Sequence, residues 1–413
     1  MGCVPGKIES SFFSETSSRN DALPFGTLFH EDFVLDKKLG KGAFGSVFAA
    51  WQRDEDSRKV AVKVVDLGPK NKGGARHSYE IDPKRKRSID KEIMILKALP
   101  ESEHVVRFFG EYSEGNLAYL LLELCSFGML PAFETIATVS ENVVRLVLRD
   151  MLSGISACHG ANIVHRDIKA DNFLAVLGET QLGFKIKLCD FGLASMVSSP
   201  DANELTGVYG TPPFMAPEML RADKYNSKVD TWALGVLAYA FLFGTWPYVP
   251  AEQTGPAMKA AISTGKPPAY ASKAGFPEVS GTAKSWLQVM LRREPEERAS
   301  TQTALDSEFL TASWDESEGV CFRKAIRAAK RVGAFDQGPN ARASTQLDAE
   351  LRSLNIRRTS SGFSPNRLFE QMGMTDASTE SGSDSPMALR RSPTQDSGGE
   401  SLALGLRRSP TQD

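Results

Sequence analysis

The chain has 413 residues, 41% of them hydrophobic, and its formal net charge at pH 7 is −2. This length suits one large or two ordinary domains with an ample apolar core, and the near-neutral charge gives no general attraction to nucleic acid. The five cysteines are scattered without paired spacing, which is typical of a reduced, cytoplasmic protein. No apolar run reaches the roughly 18 residues of a membrane-spanning helix.

The chain begins MGCVPGK, and Gly2 and Cys3 are its candidate acylation sites. The myristoylation pattern requires glycine at position 2 but prefers Ser or Thr at position 6, where this chain has Gly6. Palmitoylation of the adjacent cysteine would supply a second acyl chain, and two chains hold a protein at a membrane far better than one. We expect residues 1–32 to be disordered and to place the protein at a membrane surface; an unmodified segment is the alternative.

A glycine-rich stretch separates the first two predicted strands, residues 33–35 and 46–48. It reads GKGAFG at positions 40–45, and Val47 follows it. Dinucleotide-binding folds also use G-x-G-x-x-G, but there a helix follows the loop, whereas here β-forming residues follow. Because glycines allow backbone N–H groups to approach phosphate oxygens closely, the pattern predicts a phosphate-binding loop.

The next predicted strand, VAVK, ends at Lys63, and two glutamates further along the chain, Glu80 and Glu92, are candidate partners for its amine. Glu92 is the preferred partner because it lies in an apolar-periodic segment, whereas Glu80 lacks that pattern and is the runner-up. Between Lys63 and Glu92 lies a polar insert, residues 68–90, with the basic run KRKR at 84–87. We expect this insert to be a solvated loop. The two alternatives are that it contacts acidic lipid or that it contacts a phosphorylated loop of the protein.

Residues 165–172 read HRDIKADN and combine several chemistries in one short stretch. Asp167 can accept a proton from a hydroxyl, Lys169 can neutralise charge on a transferring group, and Asn172 can bind a metal ion through its amide oxygen. Asp190, the first residue of DFG, supplies a hard carboxylate suited to Mg²⁺. Phosphoryl transfer needs this set, because it depends on positioning and charge neutralisation more than on covalent chemistry.

HRDIKADN, followed by DFG and then by APE at 216–218, resembles the eukaryotic protein kinase family, serine/threonine type. The resemblance covers residues 33–310 and implies an α+β fold with a small β-rich N-lobe and a large, mainly helical C-lobe. It also implies ATP-dependent transfer of the γ-phosphoryl group to Ser and Thr hydroxyls of protein substrates, with ATP and Mg²⁺ bound. The residues after Asn172 and the GTWP at 244–247 are most similar to the calcium/calmodulin-dependent group.

The resemblance assigns roles to single residues. Asp167 is the expected base, Asp190 and Asn172 are the expected Mg²⁺ ligands, and Lys63 paired with Glu92 is expected to hold the nucleotide phosphates. Glu123 and Cys125, in the hinge between the lobes, would bind adenine through backbone atoms. The expected nucleotide-binding positions are Leu39, Gly40, Gly42, Phe44, Gly45, Val47, Ala61, Lys63, Glu123, Cys125 and Leu174.

The activation segment, residues 190–218, carries two threonines to which the resemblance gives roles. Thr211 is expected to bond both Asp167 and Lys169 and to shape the floor of the substrate site. Thr206 is the expected phosphorylation site, although such sites often lie one residue closer to the APE motif. Arg166 would be the partner of its phosphate, because arginine binds phosphate bidentately.

Other positions are expected to support the catalytic loop. The resemblance implies that His165 stacks on Phe191, that Asp230 holds the loop backbone, and that Glu218 pairs with Arg298. The helix that begins near residue 229 is apolar all round, which predicts that it is buried.

The groove that receives the substrate can be examined in the same way. Kinases that demand arginine upstream of the target place carboxylates in this groove, and the corresponding positions here are Met129, Asp171 and Ala240. Only Asp171 is acidic, and a single exposed carboxylate contributes little discrimination. We therefore expect a weak preference for arginine.

Beyond residue 310 the sequence predicts a basic helical extension, residues 311–339, and a disordered tail, residues 340–413. Residues 320–335 form a basic amphipathic pattern, which is typical of calmodulin targets and membrane-surface helices. The alternative is a terminal helix packed on the large lobe. The tail contains LRRSPTQD twice, and Ser360 follows two arginines, so both are candidate phosphorylation sites.

Two other functions remain open at this point. A pseudokinase would bind partners without catalysis, but the residues expected to be catalytic are all present. A small-molecule kinase of the same fold is opposed by the GTP sequence at 210–212 and by the APE motif.

Overall fold

The structure is a computed structural model that describes residues 28–41, 45–53, 59–69, 81–136, 139–250, 252, 254–312 and 321–331. The predictions for Gly2, Cys3, Gly42, Phe44 and Glu80 lie outside the described residues, as do those for the tail. None of the helices described is long and apolar enough to cross a membrane.

The small lobe is built on a five-stranded antiparallel sheet in the order β1-β2-β3-β5-β4. A helix, α2 (Pro83–Ala98), connects β3 to β4. The strands are β1 (Phe33–Lys41), β2 (Ser46–Gln52), β3 (Lys59–Asp66), β4 (Phe108–Glu114) and β5 (Leu117–Glu123). β1 and β2 flank the glycine-rich stretch as predicted.

The ordered small lobe begins earlier than expected, with the short helix α1 (Phe29–Asp32). Phe29 is fully buried, and its ring stacks on Tyr119 at a centroid distance of 4.4 Å and on Phe33 at 5.5 Å. The expectation of disorder up to residue 32 is therefore wrong for residues 28–32. Tyr119 lies on β5, which is distant in sequence from Phe29, so no local pattern predicts the contact between their rings.

The insert is also shorter than predicted, because α2 begins at Pro83 and includes the basic run at 84–87. The Asp82 side chain accepts a hydrogen bond from the backbone N–H of Lys84, at 2.8 Å, and Pro83 occupies the first helical position. Both are favoured features of a helix N-terminus. The prediction of a solvated loop up to residue 90 is therefore wrong, because residues 83–90 are helical.

The large lobe is mainly helical. Its helices are α3 (Met129–Thr135), α4 (Glu141–Gly160), α5 (Pro217–Leu220), α6 (Lys228–Phe243), α7 (Gly255–Thr264), α8 (Gly281–Met290), α9 (Thr301–Leu305), α10 (Glu308–Thr311) and α11 (Arg323–Arg331). As predicted, α6 is buried at every position from Val229 to Phe243. It ends at Gly244, whose φ of 66° is the left-handed conformation that glycine adopts without strain.

Short strands frame the catalytic loop between the lobes. β8 (Phe173–Leu177) and β9 (Phe184–Leu188) form a hairpin, and β6 (Phe127–Gly128) pairs with β8. β7 (Ile163–Val164) pairs with β10 (Ser195–Met196), so the chain before the catalytic loop is bonded to the start of the activation segment.

The apolar face of α11 packs onto the large lobe beside α6. Phe322, Ala325 and Ile326 are buried, and the Phe322 N–H donates to the carbonyl oxygen of Val139 at 2.7 Å. Residues 320 and 332–335 of the predicted segment lie outside the described residues. This arrangement corresponds to the packed-helix alternative for residues 320–335.

Candidate active site

The cleft between the lobes is lined by an apolar cluster on the small-lobe side. Leu39, Ala49 and Ala61 are buried together, with Val47 and Leu122 packed against them. Strands β1, β2, β3 and β5 bring these residues together, and Leu39, Val47 and Ala61 are expected nucleotide-binding positions. Apolar walls with a few polar groups are the usual lining of a nucleotide or cofactor pocket.

Gly45 closes the glycine-rich stretch against β3. A Cβ atom at this position would lie 2.3 Å from the carbonyl oxygen of Val64, which is much too close for any side chain. The glycine is thus required by the close approach of two strands at the point where the stretch enters β2.

A lysine and two acidic residues meet in the cleft. The Nζ atom of Lys63, on β3, lies 2.6 Å from Oε1 of Glu92 on α2 and 3.1 Å from Oδ1 of Asp190. Burial opposes a charge on Lys63, but the two carboxylates together raise its pKa above the usual value. The expected pairing of Lys63 with Glu92 is present, and it links α2 to the sheet.

Asp167 lies at the centre of the catalytic loop and accepts three side-chain hydrogen bonds. Its Oδ1 accepts from the Thr211 hydroxyl at 3.1 Å, and its Oδ2 accepts from the Asn172 amide at 3.0 Å. Lys169 Nζ lies 3.0 Å from Oδ2 and also donates to Thr211 at 3.1 Å. Burial tends to lower the pKa of Lys169, but the Asp167 carboxylate raises it above the usual value.

Asp190 and Asn172 have the donor atoms that a magnesium site needs. The amide nitrogen of Asn172 donates to Asp167. Oδ1 of Asn172 is therefore the atom with which this residue would bind a metal ion. The Asp190 side chain keeps 41% of its surface exposed. The partial burial of the carboxylate favours its protonated form, but Lys63 and Lys169 hold the pKa of Asp190 below its usual value, so the carboxylate is ionised at neutral pH. Oxygen ligands of this kind fit Mg²⁺, which is commonly held by one or two carboxylates together with substrate phosphates.

A buried carboxylate and a buried imidazole support the loop from behind. Asp230 accepts hydrogen bonds from the backbone N–H groups of His165 and Arg166, both at 2.8 Å, and lies 2.9 Å from His159. The rings of His165 and Phe191 meet edge to face at 5.1 Å. Both contacts correspond to the supporting roles expected from the sequence.

The activation segment returns to the catalytic loop at Gly210, whose φ is 93°. A Cβ atom here would lie 2.5 Å from the carbonyl oxygen of Arg166, so the backbones touch. Further on, Glu218 and Arg298 form a buried bidentate pair with bonds of 2.6 and 3.0 Å, as expected.

Arg166 has contacts that the sequence did not indicate. Its guanidinium lies over the ring of Tyr209, 4.1 Å from the centroid, and donates to the carbonyl oxygen of Leu193 at 2.8 Å and to the Tyr225 hydroxyl at 3.4 Å. Thr206 is exposed, and its carbonyl oxygen accepts from the Tyr225 hydroxyl at 3.3 Å.

The hinge contains a further ion pair that sequence reasoning missed. Lys187, on β9, lies 2.8 Å from Oε2 of Glu123, which also accepts from the Arg107 N–H at 3.1 Å. Cys125, two residues further along the hinge, and Leu174, on β8, are both half-buried. The Glu123 side chain is thus occupied within the protein, consistent with the expectation that this residue uses its backbone.

The family model of the protein kinase domain matches residues 33–310. Curated relatives include the serine/threonine-protein kinase KIC1 of Saccharomyces cerevisiae, 30% identical over 68% of this chain and 24% of that protein. Serine/threonine-protein kinase 33 of Bos taurus is 28% identical over 73% of this chain and 60% of its own length. Calcium-dependent protein kinase 11 of Arabidopsis thaliana is 31% identical over 69% and 54%.

The chain thus spans between about a quarter and three fifths of the length of these relatives. The matched residues contain the cleft, the catalytic loop and the activation segment described above. Two lobes, an antiparallel small-lobe sheet and a helical large lobe accord with this match. The chain belongs to the eukaryotic protein kinase family, in its serine/threonine branch.

Proposed function

We propose that this chain is an ATP-dependent protein kinase that phosphorylates Ser and Thr hydroxyls of protein substrates. The observation that carries this proposal is the convergence of Asp167, Lys169 and Thr211 within hydrogen-bonding distance of one another, beside a cleft that holds Lys63 and Asp190. A general base, cationic groups for phosphate and a carboxylate for metal are what phosphoryl transfer requires.

In the proposed reaction the hydroxyl oxygen of the substrate attacks the γ-phosphorus, and Asp167 takes the hydroxyl proton. The bond from the γ-phosphorus to the bridging oxygen breaks, and ADP leaves with the electron pair. Lys169 neutralises charge on the transferring group, and Thr211 fixes the Asp167 carboxylate through Oδ1. Because the contacts of Asp167 with Thr211 and Lys169 are already formed, the base needs little reorganisation at the moment of reaction.

The nucleotide would lie under the apolar cluster of Leu39, Ala49 and Ala61, with its phosphates near Lys63. Asp190 and Asn172 would hold Mg²⁺, which supplies neutralisation of phosphate charge when bound. The buried pair of Lys63 with Glu92 supports this assignment, because it fixes the amine at the edge of the cleft.

Two matched variants test the assignment of roles. Asp167→Asn should abolish protein phosphorylation while leaving ATP binding nearly unchanged, because the base is lost and the metal ligands remain. Asp190→Asn should weaken Mg²⁺-dependent ATP binding itself. Nucleotide binding is measured by calorimetry and transfer by radiolabel. Full turnover by Asp167→Asn would contradict the proposed base.

A pseudokinase is the competing function. The intact contacts of Lys63, Asp167 and Asp190 speak against it, because a scaffold has no need for a preformed base. If the wild-type chain bound ATP but transferred no phosphate to any protein, the pseudokinase would be preferred.

For residues 320–335 we propose a structural role. The burial of Phe322, Ile326 and Ala329 supports a packed terminal helix over a calmodulin target, because calmodulin would have to compete for the same apolar face.

We also propose that acylation at Gly2 and Cys3 brings the kinase to a membrane surface. The support is the sequence alone, and one acyl chain gives only marginal binding, around 10⁴ M⁻¹. Gly2→Ala should therefore release the protein to the soluble fraction, whereas Cys3→Ser should leave a weak association. Equal, fully soluble distributions of the wild type and both variants would contradict the proposal.

A further inference from the structure

Hydrogen bonds hold the activation segment against the large lobe. Leu205 and Tyr225 exchange two backbone hydrogen bonds of 3.1 and 3.0 Å, and the Ser227 N–H donates to the carbonyl oxygen of Pro200 at 3.0 Å. The Asn226 amide donates to the carbonyl oxygen of Asp201 at 3.3 Å. The segment from 200 to 205 is thus held along its length by residues 225–227.

Arg166 is the residue at which a phosphate would be expected, and aromatic groups surround it. Arg166 is only 9% exposed, and Tyr225 is 1% exposed. The Tyr209 ring covers the guanidinium at 4.1 Å, and the Tyr225 hydroxyl joins the guanidinium to the carbonyl oxygen of Thr206. A desolvated cation over an aromatic face is substantially stabilised.

Gly207 allows Tyr209 to adopt this position. Its φ is 89°, and a Cβ atom there would lie 2.7 Å from the Tyr209 ring. Any side chain at 207 would therefore push against the ring that covers Arg166. This residue also occupies the place, one closer to the APE motif than Thr206, where activating phosphorylation sites often lie, and glycine has no hydroxyl to modify.

Tyr209 is connected to the base through the next two residues of the chain. Gly210 touches the backbone of Arg166, and Thr211 donates to Oδ1 of Asp167. A shift of Tyr209 away from Arg166 would therefore displace Thr211 and loosen the Asp167 carboxylate.

We propose that Tyr209 is a positioning residue for phosphoryl transfer: its ring, together with the Tyr225 hydroxyl, takes the place of an activation-segment phosphate at Arg166. The kinase is then active without phosphorylation of Thr206. This inference rests on the catalytic roles proposed above. The alternative is a phosphorylated Thr206 bound by Arg166, aided by Lys91, whose pKa is lowered by burial and by the nearby guanidinium.

The test begins with the wild-type full chain, treated with phosphatase until its intact mass shows no phosphate. Initial rates on dephosphorylated casein are then measured, and the mass is checked again after the assay. The proposal predicts that the treated protein keeps the activity of the untreated protein. Loss of activity on treatment would overturn it, whether or not any variant folds.

Variants then separate the ring from its hydroxyl. Tyr209→Phe keeps the ring and should retain wild-type kcat, whereas Tyr209→Leu should lower kcat by about tenfold or more. Because Tyr209 contacts Arg166 of the catalytic loop, the KM for ATP should be the same in both variants, and equal thermal unfolding midpoints would exclude a general loss of structure as the cause of a lower kcat. Equal kcat values for Tyr209→Leu and Tyr209→Phe would contradict the positioning role.

Two further variants distinguish the alternatives. Thr206→Ala should keep the activity, because Thr206 contributes only its backbone carbonyl; a collapse of activity in this variant would favour the phosphate. Asp167→Asn is assayed alongside. If it matched the wild type, the proposed catalytic roles would fail, whereas an inactive Asp167→Asn with a phosphatase-sensitive wild type would overturn the role of Tyr209 alone.

Discussion

Asp230 shows how one side chain can hold the catalytic loop. It is 1% exposed and satisfies two backbone N–H groups of the loop as well as His159. Burial favours its protonated form, but the hydrogen bonds and the nearby histidines hold the pKa of Asp230 below its usual value of 3.8. The folded protein therefore favours the charged form of Asp230 more strongly than the unfolded chain does.

The sign of this shift gives a prediction about acid stability. A carboxylate with a lowered folded-state pKa stabilises the protein above its unfolded pKa, and that stabilisation is lost as the pH falls through the folded value. Asp230→Asn should therefore reduce the free energy of unfolding at pH 7 by roughly 3 kcal/mol, since it breaks a buried charged network. Urea titrations should show the difference from wild type shrinking below about pH 4. A constant difference down to pH 3 would contradict the assignment.

Most of the site residues could be predicted because their order along the chain is distinctive. HRDIKADN, DFG and APE identify Asp167, Asn172, Asp190 and Glu218 without any knowledge of distances. The contacts of Arg166 with Tyr209 and Tyr225 could not be predicted, because they depend on the path of the activation segment and not on a motif. The same holds for Lys187 and Glu123, which meet only when β9 lies beside the hinge.

Among the secondary-structure elements, those with clear periodicity were predicted well. The strands around the glycine-rich stretch and the buried α6 follow their patterns of apolar residues. The start of α2 was missed because its first two turns are polar and basic, and the signal there is the Asp82-Pro83 pair rather than periodicity. The burial of Phe29 was missed because its ring packs on Tyr119, which lies on β5 and is distant in sequence, so no local periodicity predicts the contact.

The helix α11 is expected to stabilise the large lobe. Phe322 is 1% exposed, and Gly244 faces α11 so closely that a Cβ atom there would lie 3.0 Å from the carbonyl oxygen of Ala325. Phe322→Ala should lower the free energy of unfolding by about 3–5 kcal/mol, as is usual for a fully buried phenylalanine. Arg327→Ala, on the exposed face of the same helix, is the matched control and should change it by less than about 0.5 kcal/mol.

Urea denaturation of the two variants checks this prediction, and a binding assay with a peptide of residues 320–335 checks the calmodulin alternative. Unchanged stability of Phe322→Ala, together with calcium-dependent binding of the peptide to calmodulin, would contradict the packed role of the helix.

At the scale of the whole molecule, the charges in the expected substrate groove determine which residues are preferred next to the phosphorylated Ser or Thr. Met129 and Ala240, two of the three positions at which the resemblance to kinases leads us to expect an arginine-binding carboxylate, are 2% and 0% exposed and carry no charge. Asp171, the remaining carboxylate of the three, is half-buried, and a single ion pair near the surface typically contributes only about 0.2–1 kcal/mol. A peptide library should therefore show arginine at the third position upstream favoured by about fivefold or less. A strong requirement for arginine there would contradict the expected weak preference.

The most direct test of the proposed function is the identity of the phosphorylated amino acid. The full chain is incubated with γ-labelled ATP, Mg²⁺ and dephosphorylated casein, and the labelled product is hydrolysed and separated into its phosphoamino acids. We predict label on phosphoserine and phosphothreonine, and none above background with Asp167→Asn. Label found mainly on phosphotyrosine, or equal labelling by Asp167→Asn, would contradict a serine/threonine kinase that uses Asp167 as its base.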